Sequence, residues 1–130
     1  MSWYQGRDFK KPSGGKREPY RKKRKYELGR PPTMTKLAHV EDRVVIRVRG
    51  GNSKVRLKRA SYVNVYVPDE NITKKTRILE VVETPANPQY ARFNIIVKGS
   101  IVRTELGLVK ITSRPGQHGV LNGVLIEKTS

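Results

Sequence analysis

Residues 20–30 read Tyr-Arg-Lys-Lys-Arg-Lys-Tyr-Glu-Leu-Gly-Arg, so Arg21, Lys22, Lys23, Arg24 and Lys25 form an unbroken cation run between Tyr20 and Tyr26, with Arg30 close behind. This is anion-binding chemistry. Lysine supplies mobile point charges for phosphate oxygens, and arginine bridges two such oxygens or lies flat on a base. The two tyrosines offer rings on which an unstacked base or a sugar can rest. The plainer reading, a solvated charged tail or a localisation signal, accounts for the charge but not for the flanking rings. Upstream, Arg7, Lys10, Lys11, Lys16 and Arg17 continue the cationic path. Trp3, Tyr4 and Phe9 stand in the same stretch, where they either stack on a partner or pack on the chain's own core.

Ser13-Gly14-Gly15-Lys16 resembles a phosphate-binding loop only superficially. Lys10 occupies the position of its first glycine, Arg17 stands where Ser or Thr must follow the lysine, and no strand precedes it, so a nucleotide cofactor is not expected. Gly14 and Gly15 are better explained by a backbone that passes close to a polyanion. A second basic candidate lies at residues 43–59, where Arg43, Arg47, Arg49, Lys54, Arg56, Lys58 and Arg59 alternate with valine, isoleucine and leucine. That alternation is expected to keep the cations on the outer face of a hairpin. A solvated strand face is the plain alternative. Lys74, Lys75 and Arg77 extend the basic surface or simply open a charged strand.

Nothing in the chain spells catalysis. His39 and His118 are its two histidines, and neither has a local partner. Glu41-Asp42 and Asp69-Glu70 are adjacent acids at turn-like positions and suggest Mg²⁺ only weakly, because neighbours on a strand point to opposite faces. No nucleophile elbow, zinc spacing or acid–base pair emerges, so neither an enzyme, a metal site nor a small-molecule substrate is expected. Asn71-Ile72-Thr73 matches a glycosylation acceptor by chance in this reading, since residues 1–11 contain no apolar stretch of a secretory signal.

The elements that must present these residues follow from composition and period. The chain has 130 residues, 28 Lys and Arg against 11 Asp and Glu, a net charge of +17, and 35% hydrophobic residues. Such an imbalance repels itself in a compact monomer unless a polyanion cancels it. With no cysteine, disulfides and thiolate metal sites are excluded. No run of apolar residues is long enough to span a bilayer, and no amphipathic apolar helix accompanies the charge, so a membrane partner is not expected. Residues 1–36 hold twelve Lys and Arg against three Asp and Glu, +9 of the total, together with Pro12, Pro19, Pro31 and Pro32. The boundary is placed at 37/38: a basic extension over residues 1–37, extended or disordered alone in water apart from a helical turn within 22–28, and a folded domain over 38–130. In the latter, residues 43–49 and 54–59 alternate about Gly50-Gly51-Asn52 as a hairpin. Residues 61–67, 75–83, 89–97, 100–104, 108–112 and 121–127 supply further strands. Short strands, Gly and Pro turns and no long helix predict a mainly β fold, a small closed β-barrel; closure removes edge strands from a small core.

Ser13-Gly14-Gly15 followed by the run from Tyr20 to Arg30 resembles the signature of the archaeal and eukaryotic small-subunit ribosomal protein number eight of the e-type, which is unrelated to the bacterial protein of that number. Arg47-Val48-Arg49-Gly50-Gly51-Asn52 and Lys74-Lys75-Thr76-Arg77-Ile78 fit its pattern, and Gly116-Gln117-His118-Gly119-Val120-Leu121-Asn122-Gly123 fits it more loosely. The resemblance implies a small β-barrel with a long N-terminal extension buried in RNA, no catalytic role, and a place in the cytoplasmic ribosome. Its partners would be the 16S-type ribosomal RNA of the small subunit and neighbouring ribosomal proteins. Eukaryotic members carry an insertion in the second half that this chain lacks, so it is similar to the compact archaeal form. A free-standing nucleic-acid binder, either a chromatin protein or an RNA chaperone, is the alternative that composition leaves open.

Overall fold

The computed structural model describes residues 9–129 together with Gly6 and the backbone of Trp3 and Tyr4; Arg7, one of the expected phosphate contacts, lies outside the described residues. The chain divides into two units, Met1–Pro32 and Thr33–Ser130.

The first unit holds more local structure than its proline and charge content predicts. β1 (Trp3–Tyr4) and β2 (Leu28–Gly29) pair antiparallel, Trp3 against Gly29 and Tyr4 against Leu28. Within the span they close, Lys10 and Lys16 form a bridge around a tight turn. There Lys11 N donates to Gly15 O at 2.7 Å and Gly14 N to Lys11 O at 2.9 Å. Gly14 has φ +87°, the left-handed backbone that a residue with a Cβ resists, so this glycine is required by the turn itself. The expected helical turn is a single 3₁₀ turn at Lys25–Glu27.

In the second unit β3 (Lys36–Leu37), β4 (Asp42–Arg47) and β5 (Ser53–Ala60) form a three-stranded sheet in the order β3-β5-β4. The division falls earlier than the break in composition because the side chain of Thr35 is buried and donates to Leu57 O at 2.6 Å, while Lys36 and Leu37 pair with Arg59 and Ala60. β6 (Tyr62–Val67), β7 (Ile72–Glu83), β8 (Ile101–Thr104), β9 (Gly107–Ile111) and β10 (Asn122–Lys128) close a barrel in the order β10-β6-β7-β8-β9. All its ladders are antiparallel except the seam, where β10 runs parallel to β6. The period of two reads directly as burial: Val63, Val65 and Val67 point inward, and Tyr62 and Tyr66 point out. Val102, Val109, Ile111, Leu121 and Leu125 fill the interior with them, and Leu57 and Ala60 of β5 join the same core. The 43–59 hairpin is thus outside the barrel ladder but contributes to its core.

Residues 89–97, expected as a strand, instead begin with helix α1 (Pro88–Arg92). Asn87 caps it by accepting from Gln89 N at 3.0 Å, and Pro88 sits at the first helical position. Asn followed by Pro is a helix-start signal that the apolar spacing of 89–97 outweighed in the sequence. Helix α2 (Pro115–His118) ends on Gly119 at φ +74°, and a Cβ there would lie 2.6 Å from Val55 Cγ1.

Candidate nucleic-acid interface

The five cations of the run are not equivalent. Lys22, Lys23, Arg24 and Lys25 are exposed. Arg21 is half-buried and turned onto its own unit, where it forms an ion pair with Glu27, donates to Tyr26 Oη at 2.9 Å, and lies 5.0 Å from the Tyr20 ring centroid and 5.8 Å from that of Tyr26. The Tyr26 hydroxyl first, and then the Glu27 charge, raise its pKa, so it stays a cation. Glu27 also accepts from Arg24 N at 3.1 Å, which fixes the 3₁₀ turn. That backbone hydrogen bond first, and the Arg21 charge after it, hold the Glu27 carboxyl below the ordinary glutamate range. Arg21 therefore braces the loop, and its neighbours carry the outward charge. Tyr20 is 88% exposed and Tyr26 76%, so the two rings that flank the run face solvent over most of their surface. Lys10, Lys11, Lys16, Arg17 and Arg30 are exposed as well, Gly14 and Gly15 form the turn described above, and Phe9 is also exposed.

The hairpin cations do not share one face. In an antiparallel ladder, residues directly opposite each other project to the same side. Arg43 is opposite Leu57 and Arg47 opposite Ser53, whereas Lys54 is opposite Ile46 and Arg56 opposite Val44. Val44 and Ile46 of β4 are therefore matched with cations of β5, Val45 with Val55, and the charge is divided between two faces. Both strands alternate as expected, but the turn sets the pairing parity, and parity cannot be read from either strand alone. Arg49 lies in the hairpin turn, where Gly50 and Gly51 both have positive φ, and Lys58 and Arg59 flank the register shift opposite Asp42 and Arg43. Two of these cations are tied to neighbours within the second unit. Arg43 pairs with Glu41 at 2.8 Å and donates to Gly119 O at 2.7 Å, and Lys54 donates to Gln117 Oε1 at 2.7 Å.

On β7, Lys74 pairs with Glu70 at 3.0 Å, and that bond leads the lowering of the Glu70 pKa. Lys75 lies 4.8 Å from the centroid of Tyr62, and Arg77 Nη2 is 3.2 Å from His39 Nδ1. The Asp69-Glu70 pair is engaged from both sides, since Asp69 meets Lys128 at 3.0 Å; the hydrogen bond to Asp69 raises the Lys128 pKa. Among the described residues no group of three or more His, Cys, Asp or Glu could hold a metal ion. No helix of the described residues is long and apolar enough to cross a membrane.

The outer barrel surface of β6 and β10 is a further candidate that lies outside the basic segments. Tyr62, Asn64 and Tyr66 line it, and Asn64 Nδ2 donates to Asn122 Oδ1 at 3.1 Å across the parallel seam. The alternation of valine with tyrosine and asparagine in residues 61–67 is its signal in the sequence: it marks a strand whose outward side chains are aromatic and amide.

A closed five-stranded β-barrel and a separate cation-rich unit with exposed tyrosines define a small basic β-barrel protein suited to a polyanionic partner. A family model described as ribosomal protein S8e matches residues 4–126. The chain is 72% identical over 128 residues to the small ribosomal subunit protein eS8 of Staphylothermus marinus, an alignment covering 98% of this chain and 100% of that protein. It is 63% identical over 131 residues to the protein of the same name from Hyperthermus butylicus, covering 100% of this chain and 96% of the relative. To that of Sulfurisphaera tokodaii it is 55% identical over 128 residues, 98% and 100% covered. The chain belongs to the ribosomal protein S8e family.

Proposed function

We propose that this chain is a structural, non-catalytic constituent of the small ribosomal subunit, and that it binds the subunit's ribosomal RNA chiefly through its first unit. The relatives named above are small-subunit ribosomal proteins, which supports that assignment and a place in the cytoplasmic ribosome. The observation that carries the RNA contact is the exposed set Lys22, Lys23, Arg24 and Lys25, held outward by the Arg21–Glu27 brace. Each phosphate neutralised releases condensed counterions, so association is driven by charge and weakened by salt. Arg7, Lys10, Lys11, Lys16, Arg17 and Arg30 extend the same contact, with Tyr20 and Tyr26 on unstacked bases or sugars. Gly14 and Gly15 keep the turn slim enough to lie against RNA. Arg47, Arg49, Lys54, Arg56, Lys58 and Arg59, with Lys74, Lys75 and Arg77, serve RNA on the second unit. With charge on both faces of β4–β5, that sheet fits between two RNA segments better than onto one. Contacts of this kind position the protein; they do not read sequence. Neighbouring ribosomal proteins are the other class of partner.

The test is incorporation. Full-length chain and a chain lacking residues 1–30 are compared for sedimentation with small subunits in moderate salt. Full-length chain is expected to cosediment and the truncated chain to be largely lost from the particle while keeping its β signature. Equal incorporation of both would refute the first unit's leading role in the RNA contact. A full-length chain that stays off subunits but binds generic duplex DNA would favour the free-standing nucleic-acid binder.

A further inference from the structure

The outer surface of the barrel seam carries a constellation that charge neutralisation alone does not explain. On β6, Tyr62, Asn64 and Tyr66 project outward in succession, so their positions repeat at about 6.6–6.8 Å, twice the rise per strand residue. The tyrosines are 40% and 39% exposed. Asn64 lies between them and pairs with Asn122 of β10 through one hydrogen bond of 3.1 Å. That bond uses one N–H of Asn64 and one oxygen of Asn122, leaving the Asn64 oxygen and the Asn122 NH₂ group for another partner. Tyr66 is fixed by its hydroxyl, which donates to Asn71 Oδ1 at 2.7 Å. Lys75, opposite Asn64, reaches over the Tyr62 ring, and Lys110 lies across β10, opposite Val124. Three acids of the neighbouring elements are engaged: Glu41 accepts from Tyr62 N at 3.3 Å and pairs with Arg43, Asp69 pairs with Lys128, and Glu70 with Lys74; Glu127, further along β10, is exposed.

We propose that this seam is a single-stranded RNA platform, on which Tyr62 and Tyr66 stack unpaired bases, the Asn64–Asn122 pair hydrogen-bonds a base edge, and Lys75 and Lys110 hold the backbone. It deepens the reading that the partner is RNA and rests on it. Rings spaced along one strand on a rigid sheet, amides between them and cations at the sides are the parts of a stacking surface for unpaired nucleotides. A duplex keeps its base faces stacked and offers nothing to the two rings. Two cations at the sides, with Glu41, Asp69 and Glu70 each already paired, favour RNA over an acidic-rimmed protein partner.

The test uses the full chain and a short single-stranded, adenosine-rich RNA carrying 2-aminopurine, with the matching duplex as control. Tyr62→Leu/Tyr66→Leu is placed both in the native chain and in a chain with Lys22, Lys23, Arg24 and Lys25 changed to Gln. The chain with the altered run but intact seam is expected to bind the single strand and quench the 2-aminopurine. Losing each ring is expected to weaken that binding about ten-fold, with duplex binding unchanged. Asn122→Asp provides a second variant that does not depend on repacking tyrosines. A carboxylate there still accepts from Asn64 but repels phosphate, so single-strand affinity is expected to fall with the thermal transition unmoved. If the tyrosine and Asn122 variants bind and quench like the native seam, the platform is overturned and a protein partner is left as its occupant. Loss of all single-strand binding on changing residues 22–25 alone overturns it too, while leaving the first unit's role in RNA binding intact.

Discussion

Changing Lys22, Lys23, Arg24 and Lys25 together to glutamine should alter the salt dependence of RNA binding more than any other set of four cations in the chain. All four are exposed and outward, whereas Arg21 spends its charge on Glu27. If each neutralises one phosphate, the slope of log affinity against log salt should become shallower by about 3, from about 0.7–0.9 per contact. Between about 50 mM and about 200 mM salt, a slope difference of that size changes the ratio of native to variant affinity by about 60-fold. The assay is filter binding or fluorescence anisotropy with small-subunit ribosomal RNA fragments over a salt series. The internal control is Arg21→Gln with Glu27→Gln, which removes the brace at constant net charge and should leave the slope within about half a unit of native. An unchanged slope in the four-residue variant would refute the division of labour between Arg21 and its neighbours. So would a control that shifts the slope as far as the four-residue variant.

Four further outcomes follow from the packing and the titration. Gly123→Ala should destabilise the second unit by about 1–3 kcal/mol in thermal unfolding, because its Cβ would lie 2.4 Å from Val109 Cγ1 and 2.8 Å from Lys110 O inside the β9–β10 ladder. Thr76→Val should stabilise it by about 1 kcal/mol, since the buried Thr76 hydroxyl finds no hydrogen-bond partner among the described residues; an unchanged or lowered Tm would contradict this. Glu27 has a folded-state pKa lowered by the Arg24 N–H and Arg21, so its ordering of the run is complete above the ordinary glutamate range and is lost as pH falls through the lowered value. Tyr26 fluorescence in the native chain should report that acid transition, and Glu27→Gln should abolish it. Gly119→Ala should loosen the α2 end against β5, seen as faster amide exchange at Val55, because a Cβ would press on the Val55 side chain from a left-handed backbone.

Much of the barrel was legible because its strands alternate and are cut by Gly, Pro and Asn; Val63, Val65, Val67, Val102, Val109 and Ile111 are buried as their spacing requires, whereas Leu79, Val82 and Ile126 face solvent at the register shifts of β7 and β10. What escaped was nonlocal or capped. Pairing parity across Gly50-Gly51 divides the hairpin cations between two faces, and no single strand carries that information. The 89–97 segment has strand-like apolar residues, yet Asn87 and Pro88 start a helix. The buried contact of Thr35 with Leu57 spans 22 residues, and composition carries no trace of it. The cation run was obvious as charge. That one arginine of the five is its brace emerges only from the Tyr20, Tyr26 and Glu27 geometry.

Lysine acylation footprinting, with the free chain compared to purified small subunits, addresses the RNA contact most directly. Lys22, Lys23 and Lys25 should react readily in the free chain, be shielded in the particle, and regain reactivity when the particle is treated with ribonuclease. Equal reactivity in both states, or shielding that survives complete digestion of the RNA, would contradict the account.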